Sequence, residues 1–160
     1  MSTEDAPLPT PPRLDGPSPH ILIVRAPYYR EVVDGLSEGA TGLLRAAGAT
    51  FEVIDVAGAF ELPQALRIAT RANRRFDGFV ALGCVVKGET DHYDFICQAT
   101  MTGLMQVSLQ FGLAMGAGLL TVDTLAQAEA RSRIDGFNKG AEAAAAALLQ
   151  VAAARRLGAS

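Results

Sequence analysis

Cysteine is scarce: the chain has two among 160 residues, Cys84 and Cys97, and they are not spaced as a pair. A disulfide scaffold and a zinc site are therefore not encoded. Both cysteines fall in apolar surroundings and read as buried free thiols of a reducing compartment. Basic charge is not in excess. The formal net charge is −3, so no positive field draws nucleic acid or an anionic membrane. No run of about 18 apolar residues is present to span a bilayer. The N-terminus is acidic and proline-rich rather than basic and then apolar, so it does not read as a signal peptide. No Gly-x-Gly-x-x-Gly follows the first apolar run and no P-loop occurs, which argues against dinucleotide and Walker-type sites. Internal repeats are absent as well. Histidine is limited to His20, at the edge of the proline-rich segment, and His92.

Hydrophobic residues make up 49% of the chain, enough for one domain with a substantial core. Six of the eight prolines lie in residues 1–19, a stretch with few large apolar side chains. Such a segment cannot bury enough to order itself and reads as a flexible tail before a single domain over 20–158.

Within the domain, short apolar runs alternate with helical patterns. His20 to Ala26 reads as a strand, Glu31 to Ala47 as a helix stopped by Gly48, and Phe51 to Val56 as a second strand. Pro63 suits the first turn of a helix that continues to Ala72. Phe79 to Val86 is a third strand, and Tyr93 to Phe111 a long helix with Ile96, Cys97, Met101, Leu104, Met105, Val107 and Ser108 inward. A fourth strand spans about Leu113 to Leu120, weakened by Gly116 and Gly118. Thr124 can cap a short helix to Arg131, and an alanine-rich helix runs from Lys139 to about Arg155. The alternation predicts an α/β protein: a three-layer αβα sandwich around a four-stranded parallel sheet, with helices on both faces.

The third strand ends in Val85-Val86-Lys87-Gly88-Glu89-Thr90-Asp91-His92, so a short loop opens a helix with a histidine at its start. In an open parallel sheet that place takes ligands, and the first amide groups of the helix attract anions. Tyr28 and Tyr29 follow the first strand and Phe60-Glu61 the second, so aromatic, carboxyl and imidazole groups converge on one sheet edge. A planar polar ligand beside a phosphate fits that set. Each residue also has an ordinary reading. His92 can be an exposed polar residue, Glu61 a partner of a helix dipole, the tyrosines a cover for the sheet edge, Arg131 and Arg133 dipole-compensating cations, and Asn138 only a helix cap.

Together these stretches resemble the lumazine synthase family of riboflavin synthesis. The matching pieces are Gly58-Ala59-Phe60-Glu61-Leu62-Pro63, Ala81-Leu82-Gly83-Cys84-Val85-Val86-Lys87-Gly88-Glu89-Thr90-Asp91-His92-Tyr93-Asp94, Gly118-Leu119-Leu120-Thr121 and Asn138-Lys139-Gly140, with Arg131 ahead of the last. The resemblance covers about Ile21 to Ala154.

It implies a flavodoxin-like sheet and a condensation of 5-amino-6-ribitylaminopyrimidinedione with 3,4-dihydroxy-2-butanone 4-phosphate. The products are 6,7-dimethyl-8-ribityllumazine, phosphate and water, made without cofactor or metal. It further implies that His92 moves protons and that Tyr28 stacks on the pyrimidine. Ala59, Phe60, Glu61, Val85, Val86, Ala117 and Lys139 belong to the pyrimidine and ribityl site; Gly88, Glu89, Thr90 and Arg131 bind phosphate. By the same resemblance Arg131 and Lys139 come from a neighbouring subunit of a homopentamer; charge and composition, in turn, point to a cytoplasmic protein with neither nucleic acid nor membrane as a partner.

The chain departs from the family pattern at several points. Ala117 stands where many members have a covering phenylalanine, Tyr29 where asparagine is common, and Pro27 where a polar residue is frequent. The loop Arg131-Ser132-Arg133-Ile134-Asp135-Gly136-Phe137-Asn138 lacks the Gly-Thr-Lys-Ala-Gly segment of many shell-forming relatives. A free pentamer or a pair of pentamers is expected rather than an icosahedral shell. The departures also motivate an alternative: a diverged paralogue that binds a lumazine or flavin, or serves assembly, without catalysis.

Overall fold

The computed structural model describes residues 9–72 and 75–159. Four strands form one all-parallel sheet: β1 (His20–Ala26), β2 (Thr50–Asp55), β3 (Gly78–Val86) and β4 (Met115–Val122), in the order β2-β1-β3-β4. The helices between and after them are α1 (Arg30–Ala46), α2 (Leu62–Ala69), α3 (His92–Phe111), α4 (Leu125–Ser132) and α5 (Lys139–Arg156). Register runs from His20 opposite Thr50, from Ile21 opposite Gly78, and from Phe79 opposite Met115.

Side chains alternate across a strand, so β1 feeds both faces. Ile21 and Ile23 join α1 and α5 in one core with Val80, Leu82, Leu36, Leu44 and Leu148. Leu22 and Val24 join α2 and α3 in the other, with Ala81, Leu62, Leu66 and Leu104. The three-layer arrangement follows from that division.

The two helical layers are covered very differently. α1 buries Val32, Val33, Leu36, Ser37, Ala40, Thr41, Leu43 and Leu44. α3 is longer yet buries only Thr100, Leu104 and Val107. Phe95 (69% exposed), Met101, Met105 and Leu109 (75%) face outward. Met101 and Met105 are thus not on the inner side, contrary to the sequence pattern. The helix is apolar around most of its circumference, and periodicity cannot tell which apolar stripe meets the sheet.

β4 lies two residues later than the pattern suggested. Gly116 and Gly118 are what let it pack. A side chain at Gly116 would overlap the Ala143 carbonyl of α5, and one at Gly118 would meet Leu82 and the Lys139 carbonyl. The alanines of α5 complete this close contact, with Ala143, Ala144 and Ala147 buried.

Of the segment read as a tail, residues 1–8 lie outside the described residues. Residues 9–19 lie against the domain. Leu14 packs on the α1/α5 core, Arg155 donates to the Asp15 carbonyl at 2.8 Å, and the Ser18 hydroxyl donates to the Gly48 carbonyl. Gly48, at φ 72°, turns the chain out of α1. Among the described residues no helix is long and apolar enough to cross a membrane.

Candidate active site

The strand order reverses between β1 and β3, and the C-terminal ends of those strands frame a cleft of about 330 Å3. Tyr28 and Tyr29 leave β1 in a turn closed by the Tyr28 amide on the Ala26 carbonyl at 2.9 Å. Their rings meet edge to face at 5.2 Å, and Tyr28 is 77% exposed. After β2, Gly58 enters a short 3-10 turn, Ala59–Glu61, which runs straight into α2 because Leu62 is buried in the core and Pro63 fits the first turn. That turn presents Ala59, Phe60 and Glu61 to the cleft, and Val85, Val86, His92 and Ile96 line it from β3 and α3. Tyr28, Ala59, Phe60, Glu61, Val85, Val86 and His92, predicted from sequence, are therefore brought together.

Tyr29, placed at this sheet edge from sequence, lines the cleft too, whereas Cys84 and Ile96, which also line it, were not predicted as site residues. Cys84 was legible only as a buried thiol. Burial pushes its pKa up from 9.0 to about 11. The thiol stays protonated near neutral pH and cannot serve as a resting nucleophile. Burial also raises the Tyr29 hydroxyl, with the neighbouring Cys84 and Tyr28 adding to it. Cys97 is raised by burial too, against a hydrogen bond with Tyr93.

A second cleft, of about 320 Å3, lies along the edge strand β4. Ala117, Leu119, Thr121, Arg131 and Lys139 line it. None of them lines the first cleft. Both cations are held within their own chain. The Lys139 ammonium pairs with Glu142 at 2.6 Å, and the Arg131 guanidinium donates to the Gln127 carbonyl at 2.9 Å. Arg133 instead pairs with Asp135 in the α4–α5 turn at 2.8 Å. Glu142 was missed by sequence reasoning, although its spacing of three from Lys139 on a helix is the signal that would find it.

Gly88, Glu89 and Thr90 line neither cleft; they are exposed in the loop between β3 and α3, next to His92. Asp91 stands at the start of α3 and gives it no side-chain cap. Thr124 and Asn138 do cap their helices, accepting from the Gln127 amide (3.3 Å) and the Ala141 amide (3.0 Å). Among the described residues no group of three or more His, Cys, Asp and Glu could hold a metal ion.

The arrangement can stack and orient a flat ring in one place and hold an anion in another, with an imidazole at the mouth of the first. Comparison with known proteins points the same way. The family model for 6,7-dimethyl-8-ribityllumazine synthase matches residues 18–155. The chain is 44% identical over 141 residues to the 6,7-dimethyl-8-ribityllumazine synthase of Nitrobacter winogradskyi, covering 86% of each chain. To 6,7-dimethyl-8-ribityllumazine synthase 1 of Rhizobium meliloti it is 42% identical over 144 residues, covering 88% of this chain and 94% of the relative. The protein of that name from Bartonella tribocorum is 41% identical over 140 residues, with 88% and 93% covered.

Proposed function

The chain belongs to the 6,7-dimethyl-8-ribityllumazine synthase family, and from that premise we propose that its two clefts are halves of one active site, each completed by the other half on a neighbouring copy. It is a transferase of riboflavin biosynthesis. It condenses 5-amino-6-ribitylaminopyrimidinedione with 3,4-dihydroxy-2-butanone 4-phosphate to 6,7-dimethyl-8-ribityllumazine, phosphate and water.

The first cleft takes the pyrimidine. Tyr28 stacks on the ring, Ala59 and Phe60 hold its edge, and the backbone of Val85 and Val86 meets the heterocycle. Glu61 accepts from ribityl hydroxyls. The phosphate of the ketone rests on the amides of Gly88, Glu89 and Thr90 at the uncapped start of α3. Arg131 of the neighbour closes on it with a guanidinium fork, and Lys139 adds a second charge. The pyrimidine amine attacks the ketone carbon, and the adduct loses water to give an imine. Phosphate then leaves, the ring closes and a second dehydration follows. Each step moves a proton, and an imidazole such as His92 can take and return one near neutral pH. Binding the phosphate also stabilises the charge that grows on it as it departs. Ala117 covers the substrate less than a larger side chain would.

The observation that carries this reading is the split itself: residues matching one family site line two separate clefts of a single chain. The outward apolar stripe Phe95, Met101, Met105 and Leu109 supports close association of copies through α3. The assembly we propose is the homopentamer, free or paired, working in the cytoplasm; the two unpaired thiols fit a reducing compartment. Light scattering should give the mass of one or two pentamers, and a megadalton particle would overturn that.

The decisive experiment mixes two impaired proteins, His92→Ala and Arg131→Ala, after unfolding and reassembly together, and assays them at butanone phosphate concentrations well below KM. Shared sites regain activity, because about a quarter of the interfaces in a random mixture join two intact halves. A mixture no better than its parents would mean that each chain holds a complete site.

A further inference from the structure

The side chain joining the two cations of the second cleft is Asn138. It is 4% exposed, in a turn whose neighbours are largely solvated. Its amide nitrogen donates to the carbonyls of Gly35 and Ser132, both at 2.9 Å, and more distantly to that of Arg133 at 3.4 Å. Its oxygen accepts from the Ala141 amide at 3.0 Å. Ser132 is the residue after Arg131, and Asn138 is the residue before Lys139. One amide group thus ties the end of α4, the start of α5 and the flank of α1 together.

We propose that Asn138 is a positioning residue: it fixes where Arg131 and Lys139 stand relative to each other, and so sets the grip on the substrate phosphate. The inference rests on the two-cleft reading above.

A helix cap uses only the oxygen of Asn138. The two amide hydrogens are not part of a cap, yet they reach carbonyls on two other elements. Without them, the buried Ser132 carbonyl at the end of α4 would lose this donor, and the turn would lose its tie to the Gly35 carbonyl of α1. α1 is also shaped to receive the group. A side chain at Gly39 would overlap the Asn138 amide, and one at Gly140 would run into the Leu36 carbonyl. The turn is therefore seated on the helix backbone with no clearance. Such seating confines two cations to one geometry, and catalytic positioning is sensitive to shifts near 1 Å.

The test uses two variants with different chemistry at different places. Asn138→Ser keeps a capping oxygen but removes the amide donors. Gly39→Ala leaves Asn138 intact but pushes it from its seat, while alanine favours the α1 helix intrinsically. Both variants are assayed as assembled protein, with KM for each substrate, kcat and melting temperature. Both should raise KM for the butanone phosphate about tenfold, with KM for the pyrimidine within about twofold. Inorganic phosphate should weaken as an inhibitor in step. Assembled variants with lowered melting temperature but unchanged KM for the phosphate substrate would reduce Asn138 to a cap and overturn the proposal. Should Asn138→Ser not assemble, Gly39→Ala decides alone. Arg131→Ala is run in parallel. If it leaves the phosphate KM and kcat unchanged, the two-cleft reading falls and this inference with it. If it raises that KM while the other two variants do not, only this inference falls.

Discussion

The cleft at the ends of β1 and β3 offers aromatic rings, backbone edges, one carboxyl group and one imidazole; among the described residues no lysine or arginine lines it. The cleft along β4 offers two cations against a wall of small and aliphatic residues and no aromatic ring. The first can recognise a flat heterocycle and move its protons but has little to hold a phosphate. The second can hold a phosphate but has nothing to orient a ring. Each is anchored to the sheet or to helices packed on it, so no side-chain rotation merges them. The reading proposed above asks the reaction to use both, and the fold places them apart on one chain.

The sharpest way to break this contrast is to remove the imidazole. His92→Ala should lower turnover about 100-fold or more, the scale of one general acid–base group, with the mass of the assembly unchanged by light scattering. Steady-state rates close to those of the parent protein would take His92 out of the mechanism.

Arg131→Ala should act on the other half. kcat/KM for the butanone phosphate should drop about 10- to 100-fold, the worth of a charge-assisted hydrogen bond, while KM for the pyrimidine changes little. Equal damage to both substrates would blur the division between the clefts.

Glu142→Gln should have a smaller effect of opposite sign. The carboxylate pairs with Lys139 and offsets its charge. Neutralising it should lower KM for the phosphate substrate a few-fold, an effect that salt diminishes. A raised KM would instead mean that Glu142 orients Lys139 for binding.

The smallest effect concerns stability rather than rate. The Cys84 thiol ionises at about 11 in the folded chain against 9.0 ordinarily. Folding therefore disfavours its thiolate. The stability it contributes is complete below about pH 9 and declines as the pH rises towards 11. Denaturant melts of the parent and of Cys84→Ala should lose stability at different rates across that window, with the variant less sensitive to pH. Parallel pH profiles would remove Cys84 as a contributor.

Much of this architecture was legible because its signals are local. β1 was read at His20–Ala26, as observed, since a short apolar run feeding both cores has few alternatives. Tyr28, Tyr29, Phe60, Glu61 and His92 were legible as a set because parallel strands deliver their following loops to one edge, whereas Ala59, Val85 and Val86 came through the family resemblance. β4 was read two residues early because its glycines carry no side-chain pattern; the reason for them lies in α5, some 25 residues on. Met101 and Met105 were placed inward because an apolar helix surface looks alike whether it meets its own sheet or another chain. The separation of Arg131 and Lys139 from His92 came only through family resemblance; nothing in spacing implies it. The donor bonds of Asn138 were invisible for the same kind of reason. Gly35 is about 100 residues away in the chain, and a contact of that range leaves no local periodicity.

With the outward apolar stripe of α3, the division of the site proposed above would make activity subject to mass action. On the reading proposed above, a chain that carries two half-sites would be folded but idle when alone. Its specific activity is then a function of concentration, rising as copies associate and vanishing on sufficient dilution even while every domain keeps its native sheet. Nanomolar assays of this enzyme would measure an assembly equilibrium as much as a rate, and a substrate that bridges two copies would slow the loss by holding them together.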